Sequence, residues 1–310
     1  VIEIVAQSAV MREAVRLAER VAATDANVLV TGESGAGKDA LAFFIHSASL
    51  RATQPFVKID CATLPSDLLE AELFGYERGA FTGANEAKPG RLEAAHHGTL
   101  VLDEIAHLSV DAQAKLLRVI ETREFERLGG RRTIKVDARL IALTNVDLVG
   151  AVERSAFRED LFYRLNVVHI HLAPLRERRE DLPKLAQWFL KTYAAKHGCR
   201  LTGIAPDALL VLMEYEFPGN VRELANTVER AVIVATGKRV EVSDLPATVR
   251  DWVLLQQKRA RPRTLAELEA EYVNEILAAT NGNKAAAARI LGISRKNLYE
   301  RVSRFRKDEG

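Results

Sequence analysis

Asn27-Val28-Leu29-Val30-Thr31-Gly32-Glu33-Ser34-Gly35-Ala36-Gly37-Lys38-Asp39 decides the fold. Its first five residues are an aliphatic, β-branched run that reads as a buried strand. A glycine-punctuated turn follows at once, and residues 40–49 read as a helix. Strand, glycine loop, lysine and helix make the P-loop arrangement. Gly32, Gly35 and Gly37, with Glu33, Ser34 and Ala36 between them, let backbone N–H groups turn inward around phosphate oxygens. Lys38 is placed to reach the outer phosphates of a nucleotide. Asp39 stands where the pattern usually ends in Ser or Thr. A carboxylate is not a neutral hydroxyl ligand, so Asp39 either holds Mg²⁺ through water or sits beside it.

Working outward, residues 13–22 have helical spacing, with Ala14, Val15, Leu17, Ala18 and Val21 apolar. Downstream, Pro55-Phe56-Val57-Lys58-Ile59-Asp60 reads as a second strand ending on a carboxylate. A helix over 64–74 is stopped by Gly75. Then comes Gly79-Ala80-Phe81-Thr82-Gly83-Ala84, a small apolar loop with glycine near each end and no group for acid, base or metal chemistry. Gly98-Thr99-Leu100-Val101-Leu102-Asp103-Glu104 is a Walker B pattern, in which a buried strand delivers two carboxylates to its C-terminal end. Asp103 is expected to hold Mg²⁺ through water and Glu104 to polarise an attacking water. Residues 112–122 form an amphipathic helix. A strand over 136–145 presents Thr144 and Asn145, which either sense the γ-phosphate or are ordinary strand-end residues.

From Pro174-Leu175-Arg176-Glu177-Arg178 onward the pattern is helical, over 182–193, 206–215 and 221–235, with Asp207 as a capping residue and Pro218-Gly219-Asn220 as a helix-start turn. Gln256-Gln257-Lys258-Arg259-Ala260-Arg261-Pro262-Arg263 reads as a polar, basic linker. Thr264 caps a helix over 265–280, and Asn281-Gly282-Asn283 stops it. A short helix over 284–291 and a turn at Gly292-Ile293 follow. A last helix, capped by Ser294, runs to about residue 307, so the tail reads as helix-turn-helix. Leu298, Val302 and Phe305 share the inward face. Arg295, Lys296, Asn297, Tyr299, Arg301 and Arg304 lie outward or on the flanks, where they suit a DNA groove and its phosphates. A helical dimerisation module is the other reading of the same segment.

Bulk properties agree with a globular chain: 310 residues, 48% hydrophobic and 28% charged, with no apolar run of membrane-spanning length and no signal peptide. The two cysteines, Cys61 and Cys199, have no metal-like spacing and fit a reducing cytoplasm. The net charge of +2 conceals an asymmetry. Residues 258–310 hold twelve Lys and Arg against seven Asp and Glu, a local +5, so the remainder carries −3.

The order of these motifs resembles the bacterial enhancer-binding proteins, the sigma-54-dependent transcription activators of the AAA+ ATPase class. The features that carry it are a Walker A loop with an acidic last residue, Glu72-Leu73-Phe74-Gly75, the Gly79–Ala84 hexapeptide, Gly98-Thr99 ahead of Walker B, and Thr144-Asn145. In the tail, Asn283, Ala286-Ala287, Leu291-Gly292-Ile293-Ser294-Arg295 and Leu298-Tyr299 resemble a Fis-type DNA-binding domain.

The resemblance implies an AAA+ α/β P-loop subdomain over 1–173, built as a parallel sheet with helices on both faces. It further implies an all-α lid over 174–250, a linker over 251–264 and an all-α helix-turn-helix domain over 265–310. ATP and Mg²⁺ are the expected cofactors. Residues 79–84 are expected to contact sigma-54 in its RNA polymerase holoenzyme, and the tail to bind an upstream enhancer-like DNA. Arg158 and Arg164, which in isolation read as solvated or ion-paired, become arginine fingers reaching a neighbouring subunit's ATP. That requires a hexameric or heptameric ring, with a dimer as a resting form. Arg222 becomes a second nucleotide sensor. Asp60 takes the switch position where the family carries Asn, and beside Glu104 it would repel unless a proton or cation intervened. His96-His97 stands where smaller residues are usual, and neither this pair nor His169 and His171 reads as a metal site. The sequence opens at Val1 directly on the ATPase module. Two rival readings are another AAA+ remodelling ATPase and a DNA-binding regulator with weak or vestigial ATPase activity.

Overall fold

In the computed structural model, which describes residues 4–260 and 265–308, the chain begins with α1 (Ala9–Ala22). Ser8 caps it, its Oγ accepting the Met11 N–H at 3.3 Å. The helix therefore starts four residues before the apolar periodicity does. β1 (Val28–Gly32) then feeds α2 (Lys38–Ser47) through the glycine loop. Next come β2 (Phe56–Asp60), α3 (Ser66–Phe74), the short β3 (Gly75–Tyr76) and β4 (Lys88–Pro89), α4 (Arg91–Ala94) and β5 (Thr99–Asp103). α5 (Val110–Thr122), β6 (Glu124–Glu126), β7 (Thr133–Lys135), β8 (Arg139–Thr144), α6 (Leu148–Glu153), α7 (Glu159–Leu165) and β9 (Val168–Leu172) complete this layer set.

The main sheet has the order β2-β5-β8-β1-β9 and every pairing in it is parallel. Alternation sorts the strand residues between two cores. Leu29, Leu100, Leu102, Leu140 and Ala142 face α3, α5 and α7, whereas Val28, Val30, Val101, Ile141 and Leu143 face α1 and α2. Arg139 is buried at the start of β8, and its guanidinium donates to Val21 O at 2.8 Å and Ala22 O at 3.2 Å, closing the C-terminus of α1. The two antiparallel pairs, β3–β4 and β6–β7, stand outside the main sheet and flank the 79–84 hexapeptide.

The helical region follows as α8 (Leu182–His197), β10 (Gly203–Ile204), α9 (Pro206–Glu214), α10 (Asn220–Val234), β11 (Arg239–Val240) and α11 (Ala247–Ala260). It departs from the sequence expectation in three places. It is not purely helical, because β10 and β11 pair in parallel. Asp207 is not the cap of α9, which starts from Ala205 with Asp207 inside its first turn. Residues 251–260, expected as linker, continue α11, because Leu, Gln, Lys, Arg and Ala are good helix formers and the nearest proline is Pro262. Buried Asp181 ties this region to the start of the chain. Its Oδ1 accepts Ser8 N–H at 2.7 Å and its Oδ2 accepts Ser8 Oγ–H at 2.9 Å.

Backbone contacts divide the chain into residues 1–250 and residues 251–310. In the second unit α12 (Leu265–Ala279), α13 (Lys284–Ile290) and α14 (Arg295–Asp308) enclose Val273, Ala287, Ala288 and Leu298. Asn283 caps α13 by accepting the Ala285 and Ala286 N–H groups, and Gly292, at φ 66°, makes the left-handed turn into α14. Ser294 Oγ accepts Asn297 N–H at 3.2 Å, as expected of a cap. Thr264 and the side chains of Arg304 and Phe305 lie outside the described residues. Among the described residues no helix is long and apolar enough to cross a membrane.

Candidate nucleotide site

The P-loop passes from β1 into α2 with Gly37 in the left-handed region at φ 105° and open space where a Cβ would project. Lys38 is buried and curls back, donating to Gly32 O at 2.8 Å, with its Nζ 3.6 Å from Glu104 Oε1. Gly35 is glycine for a different reason: a Cβ there would fall 2.4 Å from Gly219 O in the helical region.

That contact is one of several joining the loop to the lid. Glu33 takes a two-pronged ion pair from Arg176, at 2.8 and 2.6 Å, and a third bond from Asn220 Nδ2 at 3.0 Å. Arg176 first and Asn220 second hold its carboxyl down at about 2. Asn220 also donates to Ser34 O at 3.1 Å, Val221 N–H to Gly35 O at 3.0 Å, and Arg222 to Ser34 Oγ at 3.0 Å. Buried Arg178 donates to Ala36 O from behind. Burial pushes the Arg178 guanidinium below its ordinary value, with Asp181 acting in the opposite direction.

β5 delivers the two carboxylates. Glu104 sits at φ 51°, ψ 50°, a left-handed conformation unusual for a side-chain-bearing residue. This turn separates the roles of the neighbours: Asp103 Oδ1 accepts the Glu104 N–H at 3.1 Å, while Glu104 Oε2 accepts the Asn145 N–H at 3.1 Å. Asn145 thus reaches Glu104 through its backbone, and its side chain lines an adjoining cavity of about 410 Å³. That cavity also holds His169 and His171, whose ring nitrogens lie 2.8 and 3.0 Å from Thr31 Oγ1. Buried Thr144 Oγ1 accepts Val146 N–H at 3.0 Å.

Asp60 lies opposite Asp103 in the register of β2 and β5. Its Oδ1 accepts the Ala62 N–H at 2.9 Å, while Glu104 is held by Lys38 and Asn145. The negative character of this corner registers in buried Cys61. Burial, and then the Asp60, Asp103 and Glu104 charges, push its thiol up to about 12. Lys58, which in sequence is only a strand residue, has its ammonium between Asp39 Oδ1 at 2.5 Å and Asp103 Oδ2 at 2.7 Å.

Ser34, Gly35, Gly37, Lys38, Asp39, Asp103, Glu104 and Arg222 therefore line one cavity of about 250 Å³, closed on the lid side by Phe189, Val221 and Ala225. Arg158 and Arg164 do not line it. Arg158 pairs with Asp160 at 2.7 Å and Arg164 with Glu121 at 3.1 Å, both on the surface. The 79–84 hexapeptide is a closed turn rather than an open flap. Gly79 N–H donates to Ala84 O at 2.9 Å and Ala84 N–H to Phe81 O at 3.0 Å, while Phe81 meets Tyr76 edge-on at 5.0 Å. Ala80 packs on Gly129, where a Cβ would come within 2.8 Å of it. In the tail, Arg295, Lys296, Asn297 and Tyr299 are exposed, Lys284 lies 4.2 Å over the Tyr299 ring, and Arg301 pairs with Glu269.

Three segments match known families: residues 4–171 the Sigma-54 interaction domain, 176–261 the AAA+ ATPase lid domain, and 264–305 the bacterial regulatory proteins of the Fis family. The chain belongs to the sigma-54-dependent enhancer-binding proteins. Like other enhancer-binding proteins, it is a sigma-54-dependent transcriptional regulator with an AAA+ module and a Fis-type helix-turn-helix. It is 44% identical to the regulatory protein AtoC of Escherichia coli K12, covering 97% of this chain and 67% of AtoC. It is 45% identical to the transcriptional regulatory protein ZraR of Klebsiella oxytoca, covering 97% of this chain and 68% of ZraR. The structure of NtrX from Brucella abortus in complex with ATP superposes with a TM-score of 0.74 at 38% identity, over 98% of this chain and 69% of that one. The chain thus spans about two thirds of the length of these relatives.

Proposed function

We propose that this enhancer-binding protein binds ATP with Mg²⁺ between the P-loop and the lid, hydrolyses it, and uses the cycle to drive residues 79–84 against sigma-54 in the RNA polymerase closed complex. The observation that carries this reading is the convergence of Lys38, the adjacent Asp103 and Glu104, and Arg222, from three separate chain segments, on a single cavity. The open, left-handed Gly37 and the amides opening α2 suit phosphate oxygens, and Phe189 and Val221 offer an apolar wall to the base. Asp103 and Asp39 are the oxygen donors that would hold Mg²⁺, which neutralises phosphate charge and orients the outer phosphate when bound.

In the hydrolytic step water attacks the γ-phosphorus, the bond from it to the β,γ-bridging oxygen breaks, and ADP leaves with that oxygen. Glu104 accepts the water's proton, held in orientation by the Asn145 N–H. Lys38 and Arg222 stabilise charge on the phosphates. Arg158 and Arg164 lie outside this chain's own pocket, which supports their acting on a neighbour's nucleotide in a ring. The relevant division is an α/β subdomain over 1–173, a lid over 174–250 and a DNA-binding domain over 265–310. In the last, Ser294, Arg295, Lys296, Asn297, Tyr299 and Arg301 form the DNA-facing surface with Arg304. Lys38→Ala is expected to weaken ATP binding about tenfold to a hundredfold in equilibrium titration. Unaltered ATP affinity in that variant would overturn the assignment of the pocket.

A further inference from the structure

Two carboxylates that line the cavity pair with a cation that the hydrolytic scheme does not use. Lys58 projects from β2, an edge strand of the main sheet, and its ammonium meets carboxylates from two other elements: Asp39 in the first turn of α2 and Asp103 at the end of β5. Both carboxylates are those expected to hold Mg²⁺.

An ammonium and a hydrated divalent cation make incompatible demands on these oxygens. The ammonium donates hydrogen bonds to Asp39 Oδ1 and Asp103 Oδ2, the same lone pairs a metal-bound water or the metal itself would use. Both cannot be satisfied together within about 3 Å. Lys58 has a four-carbon flexible stem and is about one third exposed, so it has somewhere to go. Charge points the same way. Asp39, Asp103 and Glu104 place three carboxylates around one cavity, where Lys38 pairs with Glu104 and Lys58 with Asp39 and Asp103, while Arg222 stands on the lid side.

We infer that Lys58 is an internal counter-ion that competes with the divalent cation for Asp39 and Asp103, and so sets the metal concentration at which the site loads. This rests on the reading of the cavity as an ATP·Mg²⁺ site. Lys58 is a positioning residue here: it acts on the metal site and not on the reacting phosphorus.

The test is a Mn²⁺ titration of the nucleotide-free protein, read by the electron paramagnetic resonance signal of free Mn²⁺, for wild type, Lys58→Met and Lys58→Arg. Lys58→Met keeps most of the stem and removes the charge, and is expected to bind Mn²⁺ about tenfold or more tightly than wild type. Lys58→Arg retains a cation and is expected to stay near wild type. A thermal melt of each protein establishes that it is folded. Equal Mn²⁺ affinity in all three folded proteins overturns the competition. The same wild-type preparation, titrated with ATP in Mn²⁺, checks the reading underneath. Failure to bind Mn²⁺·ATP at all defeats the nucleotide site itself, whereas intact Mn²⁺·ATP binding with no effect of Lys58→Met defeats only the role of Lys58.

Discussion

Gln113 shows how much at this site hangs on single side chains. It is fully buried in α5; its Nε2 donates to Leu108 O at 2.9 Å and Ala156 O at 3.1 Å, and its Oε1 accepts the Arg158 N–H at 2.8 Å. It therefore fixes the main chain from which the Arg158 side chain projects. Gln113→Leu keeps the volume but strands three backbone groups, and is expected to destabilise the fold by about 1–3 kcal/mol. Urea unfolding reads this directly, and an unshifted midpoint would remove Gln113 from its place in the scheme. Nothing in the sequence marks Gln113, Lys58 or Arg178 as special, because a pattern along the chain records spacing, and the partners that matter, Ala156 and Arg158, Asp39 and Asp103, and Ala36, lie far along the chain. Lys38, Asp103 and Glu104 were legible because glycine loops and strand-end carboxylates keep fixed local spacing. The left-handed turn at Glu104 and the use of Asn145 through its backbone had no local signal.

At the scale of elements, the sequence located strands β1, β2, β5 and β8 and helices α1, α2, α3 and α5, since buried strands and amphipathic helices leave period-2 and period-3.6 traces, but it missed the short helices α4, α6 and α7. The errors fell where that trace fades. The first turn of α1, Ala9-Val10-Met11-Arg12, is set by its cap Ser8, which Asp181 holds from a distance. The helix through 251–260 was obscured by its charge. The pairs β3–β4 and β6–β7 are too short to show alternation, yet they brace the hexapeptide: Glu77 N–H donates to Leu128 O at 3.0 Å, and Arg127 joins Glu77 to Glu93. The hexapeptide is thus an arm on a stiff mount, with Phe81 against Tyr76 and Thr82 exposed at the tip. Thr82→Ala removes a tip group without touching the mount. It should leave ATP turnover intact while lowering sigma-54-dependent open-complex formation about tenfold or more. Normal transcription by this variant would separate the loop from sigma-54.

At the scale of the whole molecule, the candidate nucleotide cavity is lined by Asp39, Asp103, Glu104, Lys38 and Arg222 of its own chain, while Arg158 and Arg164 stand elsewhere on the surface. A mixture of Glu104→Gln and Arg158→Ala chains tests whether sites are shared. Each alone should be nearly inactive, but an equal mixture should regain about a quarter of the wild-type ATPase rate, the chance that an intact Glu104 meets an intact Arg158 from next door. A mixture as inactive as its components would place catalysis within one chain.

The grip between Gly35 and residues 219–221 has one more consequence. Gly35 has no side chain because Gly219 O stands in its way, and Val221 N–H donates to Gly35 O. The glycine loop and the start of α10 are one mechanical piece. Thermodynamic reciprocity then applies: whatever a bound nucleotide does to the lid's affinity for a neighbouring molecule, that neighbour does to the nucleotide's affinity by the same factor. In a closed assembly of such subunits, occupancy would pass from site to site as cooperativity, through a joint only a few atoms wide.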